Sequence, residues 1–125
     1  MKLTRRRTMK RASEFAMVRA EGSSAAGRFL VLSSAPLPLP ADSDAQPAVS
    51  RFGIITTRKL GHAVVRNLLR RRVREILRAH GEPLALGRYV VVIPRIYAAT
   101  ASYEQLERDF IKQMHRLLRT ENKAC

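Results

Sequence analysis

Apolar positions along this chain follow two rhythms, one helical and one extended. Residues 63 to 78 read AVVRNLLRRRVREILR, with Val65, Leu69, Val73 and Ile76 at three- and four-residue steps. At about 100° per residue these four form a stripe roughly 80° wide, flanked by Leu68 and Leu77, which predicts a core-facing helix. Gly81 closes that helix near Ala79, and Pro83 lies beyond it. Tyr103, Leu106, Phe110, Met114 and Leu117 keep the same spacing near the end of the chain. Ser102, with Gln105 three residues on, has the form of a capping box that opens this helix. A shorter helix is predicted from Ala12, over ASEFAMVRAEG, with Ser13 as cap, Phe15 and Val18 on one face and Gly22 as stop.

The extended rhythm lies between the helices. RFLVLSS, bounded by Gly27 and Pro36, suits a buried strand. VSRFGIITT sets Phe52, Ile54 and Thr56 against Gly53, Ile55 and Thr57, an alternation that predicts a strand. RYVVVIP is a continuous apolar run ended by Pro94, again a buried strand. The order is therefore helix, strand, strand, helix, strand, helix. That is an α+β fold, a small sheet of three to four strands flanked by helices.

No internal repeat is present, and 125 residues suffice for one modest core. Residues 12–119 are read as the single domain. Ahead of it, residues 1–11 hold six basic side chains and no acid, as a mobile arm would. Residues 35–48, APLPLPADSDAQPA, carry four of the six prolines and no basic residue, and read as an exposed loop. Residues 120–125 form a C-terminal tail.

Charge changes the picture most. Twenty-four Lys and Arg against 10 Asp and Glu give +14, a field that gathers polyanions. Most of it is arginine, whose planar fork suits phosphates and stacked bases. The single cysteine, Cys125, excludes an internal disulfide and a cysteine-based zinc site, and fits a reducing, cytoplasmic setting. No apolar run nears the roughly 20 residues that span a bilayer, so no membrane partner is expected. MKLTRRRTMKRASEF has no apolar stretch behind its basic residues, unlike a secretory signal, although its lack of acids before Glu14 would also suit a mitochondrial transit peptide.

The helix at 63–78 concentrates this charge. Opposite its apolar stripe lie Asn67, Arg70, Arg71, Arg74 and Arg78. A solvated face usually alternates signs, so that residues three or four apart attract. Here Arg66, Arg70, Arg74 and Arg78 stand four apart and repel, which calls for an outside anion.

RFGIITTRKLGHAVVRNLLRRRVREIL (51–77) resembles the signature region of the protein subunit of bacterial ribonuclease P. The matching run is Lys59, Gly61, Ala63, Val64, Arg66, Asn67, Arg70, Arg71 and Arg74, ungapped and mixing Gly, Ala and Asn with basic residues. The likeness covers roughly residues 9–119, with SEFAMVRAEG like the family's first helix and ASYEQLERDFIKQMHRLLR like its last. It implies an alpha-beta sandwich with a left-handed strand-helix-strand crossover. It implies a catalytic RNA subunit and precursor tRNA as partners, with Mg²⁺ held mainly by the RNA and a protein monomeric within the complex. Arg58, Lys59, Arg66, Asn67, Arg70, Arg71 and Arg74 would then bind RNA. A groove for the single-stranded 5′ leader would draw on Phe15, Arg19, Phe29 and Leu32.

Three positions depart from the family pattern. Arg19 stands where a second aromatic is common, Leu32 where another is, and His62 replaces the usual Asn before the basic helix. Phe15 suits core and groove wall equally, while Phe29 suits core better.

No independent catalytic centre is legible. Asp42 and Asp44 suit turns, Glu104 and Asp109 suit pairing with Arg108 and Lys112, and His62, His80 and His115 share no site. The isolated protein is expected to be non-catalytic. The alternative is a basic ribosomal or RNA-chaperone protein, which would share the charge but has no reason to match the spacing.

Overall fold

The structure, a computed structural model, describes residues 3–4, 7–9, 12–37 and 49–123. Three helices, α1 (Ala12–Glu21), α2 (Ala63–His80) and α3 (Tyr103–Lys123), flank a sheet of β1 (Ser23–Ala26), β2 (Leu30–Pro36), β3 (Arg51–Ile54) and β4 (Arg88–Pro94). The strand order is β1-β2-β4-β3. β1 and β2 are antiparallel, as are β2 and β4, whereas β3 and β4 run parallel. A parallel pair needs a crossover, and α2 supplies it.

Parity along the strands decides what each face buries. Leu30, Leu32, Val90 and Val92 turn to the side where α2 and α3 pack, and join Leu69, Val73, Ile76, Leu106, Phe110 and Leu117 in the main core. Ala35 and Val91 turn to the other side, where Val18 of α1 and Met9 close a smaller cluster. Phe15, Ile55, Tyr89 and Ile93 pack on that cluster while staying partly exposed. A ten-residue helix is too short to cover this whole face.

Several expectations are corrected. SSAA (23–26) is a strand, although Ser and Ala have little β preference. It is held by pairing, Ser23 opposite Ser34 through Ala26 opposite Val31. β2 continues through Pro36, so a loop cannot begin at 35; residues 38–48 of the predicted loop, including Asp42 and Asp44, lie outside the described residues. α3 runs to Lys123, past the boundary expected at 119. Ser13 falls inside the first turn of α1, not ahead of it. Gly81 ends α2 in a right-handed conformation, φ −80°, and the chain passes straight into a 3-10 turn at Glu82–Leu84. The capping box at α3 forms as expected: the Ser102 N–H donates to Gln105 Oε1 (2.9 Å), and the Gln105 N–H to Ser102 Oγ (3.2 Å).

Asp109 does not pair with Lys112. Its Oδ2 accepts the backbone N–H groups of Phe29 (3.0 Å) and Leu30 (2.9 Å), and so fixes the entry to β2. Nor is Glu104 paired with Arg108 among the described residues. The end of the basic arm is docked. Thr8 bridges Phe52 in parallel, the Met9 N–H donates to the Phe52 carbonyl (2.9 Å), and Arg7 Nη1 donates to the Ala85 carbonyl (2.9 Å). The arm is therefore not free over residues 7–9, where it covers the edge of β3.

Candidate nucleic-acid interface

α2 is placed by its apolar stripe. Leu69, Val73, Ile76 and Leu77 are at most 1% exposed, which fixes the rotation of the helix and turns its arginines outward. Ahead of it, Arg58 and Lys59 lie exposed on a 3-10 turn (Arg58–Leu60) anchored by buried Leu60. Gly61 then takes φ 131°, a conformation strained for any residue with a Cβ, and this aims the chain into the helix. His62 occupies the N-cap without a side-chain hydrogen bond.

The sequence-predicted basic residues converge on one helix and the turn before it. Asn67, Arg71 and Arg74 are exposed, and Arg66 and Arg70 half-buried. Arg70 Nη1 donates to Asn67 Oδ1 (3.0 Å). Arg78 pairs with Glu75 at 2.8 Å, so the four-residue row is not wholly uncompensated. Arg71 and Arg74 form no hydrogen bond or ion pair among the described residues, and the Nε of Arg66 is buried without a partner. Arg72, by contrast, turns inward and donates to the Ala101 carbonyl (3.0 Å).

At the β3 edge a groove of about 460 Å³ joins this helix to the docked arm. Arg70, Arg74 and Arg78 line one wall and Arg7 another, over a floor that includes Phe15 and Gly53. A Cβ on Gly53 would come within 2.6 Å of the Phe15 ring, so the ring's seat depends on a glycine. Sequence reasoning missed Arg7, which carries no periodic signal. It also missed Tyr89 and Ile93, whose register places them on the Phe15 side of the sheet.

The four leader-groove candidates do not meet. Phe15 lines the groove, and Arg19 is exposed one turn further along α1. Phe29 packs on the main core beside α3, under the Arg28 guanidinium (5.5 Å to the ring centre). Leu32 is completely buried in that core and cannot touch a ligand.

Acidic groups gather elsewhere. His80 Nε2 and Glu107 Oε2 lie 2.9 Å apart across the α2–α3 seam. Burial first, then the carboxylates of Glu107, Glu75 and Glu104, raise the pKa of the Tyr103 phenol above its ordinary value. Among the described residues no group of three or more His, Cys, Asp or Glu is placed to hold a metal ion, and no helix is long and apolar enough to cross a membrane.

Residues 3–118 match the family model for ribonuclease P. The chain belongs to that family. It is 32% identical over 120 residues to the ribonuclease P protein component of Acidothermus cellulolyticus, covering 96% of this chain and 95% of that protein. A shorter stretch of 65 residues is 45% identical to the ribonuclease P protein component of Pseudarthrobacter chlorophenolicus, covering 49% of this chain and 45% of that protein. Among solved structures, the RNase P protein of Staphylococcus aureus superposes with TM-score 0.69 at 25% identity, over 92% of this chain and 94% of that one. The RNase P protein of Thermotoga maritima gives TM-score 0.68 at 26% identity, over 84% and 92%. As a ribonuclease P protein component, the chain is a tRNA-processing subunit that works in a complex with an RNA subunit. The ribosomal or chaperone alternative is not favoured.

Proposed function

We propose that the outer face of α2 holds the catalytic RNA, and that the groove at the β3 edge guides the single-stranded 5′ leader of precursor tRNA. The observation that carries this reading is the α2 face, where Arg71 and Arg74 are exposed and lack a protein partner among the described residues. Guanidinium groups in that state neutralise phosphate repulsion where RNA strands crowd together. Arg58, Lys59 and Asn67 extend the same surface. Divalent ions need oxygen ligands, and the groove wall is guanidinium, so Mg²⁺ belongs on the RNA and the cleavage chemistry with it. The protein's part is to grip the leader and lower the demand for free Mg²⁺, as a monomer within a cytoplasmic complex.

Pure protein should leave precursor tRNA intact and restore accurate 5′ cleavage to a bacterial ribonuclease P RNA at low Mg²⁺. A gel assay with and without the RNA reads this directly, and specific 5′ processing by RNA-free protein would refute it.

Within the groove, Phe15 is partly exposed and can stack on a leader base, whereas Phe52 and Leu32 are buried and Arg19 replaces a second ring. Phe15→Ala should weaken precursor binding to the assembled complex by about 1–3 kcal/mol, the worth of one stacked base. A loss well beyond that range, with the fold intact by circular dichroism, would mean that several rings stack on the leader.

A further inference from the structure

α3 carries a second line of positive charge. Arg108, Lys112 and Arg116 stand at successive four-residue steps, Arg119 lies beyond them, and all four are exposed or half-buried at the surface. Like charges one turn apart repel, and none of the four is in an ion pair among the described residues. α2 carries a row with the same four-residue spacing, although there Arg78 is ion-paired with Glu75.

The ground beneath it is rigidly built. Asp109 Oδ2 takes the N–H groups of Phe29 and Leu30, and its Oδ1 accepts from Gln113 Nε2 (3.1 Å). Arg116 Nη1 donates to Gln113 Oε1 (3.0 Å) and reaches the Ala26 carbonyl (3.4 Å). From the end of β4, Arg95 gives its backbone N–H to the Phe29 carbonyl (2.7 Å) and its Nη1 to the Gly27 carbonyl (2.9 Å). The β1–β2 turn is thus pinned from two sides, with Arg28 standing over Phe29. Five surface cations, Arg28, Arg95, Arg108, Lys112 and Arg116, surround it. The acid at its centre, Asp109, has both carboxylate oxygens engaged.

This surface is separate from that of α2. α3 lies on β1 and β2, whereas the α2 groove opens at β3, the opposite edge of the sheet. Between them runs the α2–α3 seam, where Glu107 meets His80 and where Glu75 and Glu104 stand near Tyr103. One phosphate chain crossing both surfaces would have to pass those carboxylates.

We propose that the β1–β2 turn and the outer face of α3 form a second RNA-phosphate-binding surface, which grips a segment of RNA other than the one held by α2. Phe29 is packed on the core and covered by Arg28, so contact is through phosphates and independent of sequence. The protein then joins two RNA segments rather than capping one. The inference rests on the reading of α2 as an RNA-binding face only in taking RNA as the partner.

The RNA subunit and precursor tRNA offer the same phosphate chemistry, so the test has two arms. Affinity is measured over a range of salt for a bacterial ribonuclease P RNA, and for precursor tRNA with the assembled holoenzyme. The proteins are the Arg108→Ala, Lys112→Ala pair, the exchanged pair Arg108→Lys, Lys112→Arg, and Arg71→Ala as the reporter for α2. The alanine pair should lower the log–log salt slope by up to roughly 1.4–1.8, and the exchanged pair should keep it. A loss with the RNA subunit assigns the surface to that partner, and a loss confined to precursor tRNA assigns it to the substrate. Unchanged slopes in both arms, while Arg71→Ala still weakens binding, overturn the second surface and leave the α2 reading standing. An equal loss in the exchanged pair would show that packing matters rather than charge, and would also overturn it. If Arg71→Ala is silent as well, the two readings fall together.

Discussion

Leu32→Ala is expected to lower the stability of the folded chain by about 2–5 kcal/mol, while leaving affinity for precursor tRNA nearly unchanged. Leu32 stands on β2 opposite Val92 and Ala25, is fully buried, and belongs to the core beneath α3 with Leu106 and Phe110. Truncation removes its transfer free energy and leaves a cavity between sheet and helix, both of which favour the unfolded chain. Nothing that binds from outside can sense the change except through unfolding. Denaturant melting reads the first effect, and binding to holoenzyme well below the melting temperature reads the second. Near-native stability combined with clearly weaker substrate binding would return Leu32 to the groove.

That residue shows where the sequence stopped informing. RFLVLSS identifies a strand, but alternation alone does not say which face meets the longer helix. α3 settles it by burying Leu30 and Leu32 and leaving Val31 and Ser33 on the thinly covered α1 side. The core face of α2 was readable because four apolar residues at helical steps fix a helix's rotation, and the arginines then have one direction left. The capping box was readable for a similar reason, since both partners lie within one turn. β1 was not, because Ser and Ala acquire strand geometry only from the neighbour they pair with. Asp109 looked like one half of a helical ion pair. Its actual partners are amides 79 and 80 positions away, and no local spacing announces them. The groove is half legible for the same reason: its α2 wall is periodic, while Arg7 arrives through pairing with the β3 edge.

The double substitution Arg70→Ala, Arg74→Ala should weaken binding to the RNA subunit and flatten its salt dependence, with little effect on the fold. Both side chains lie off the buried stripe, and among the described residues the substitution breaks only the Arg70–Asn67 hydrogen bond. Removing like charges four residues apart relieves a repulsion of a few tenths of a kcal/mol, so the melting temperature should hold or rise slightly. Every phosphate that a guanidinium no longer neutralises takes about 0.7–0.9 from the log–log slope of affinity against salt, so two remove up to roughly 1.4–1.8. The affinity loss should therefore be greatest in dilute salt and shrink as salt is raised, because it comes from released counterions. Substituting Arg72 instead should behave differently: its guanidinium serves the Ala101 carbonyl, so stability should fall while the slope stays. Titrations of the RNA subunit at several salt concentrations, run on both variants and the unaltered chain, separate these effects. If the Arg70, Arg74 variant keeps both its affinity and its slope, the row faces water and the α2 surface is not where RNA binds.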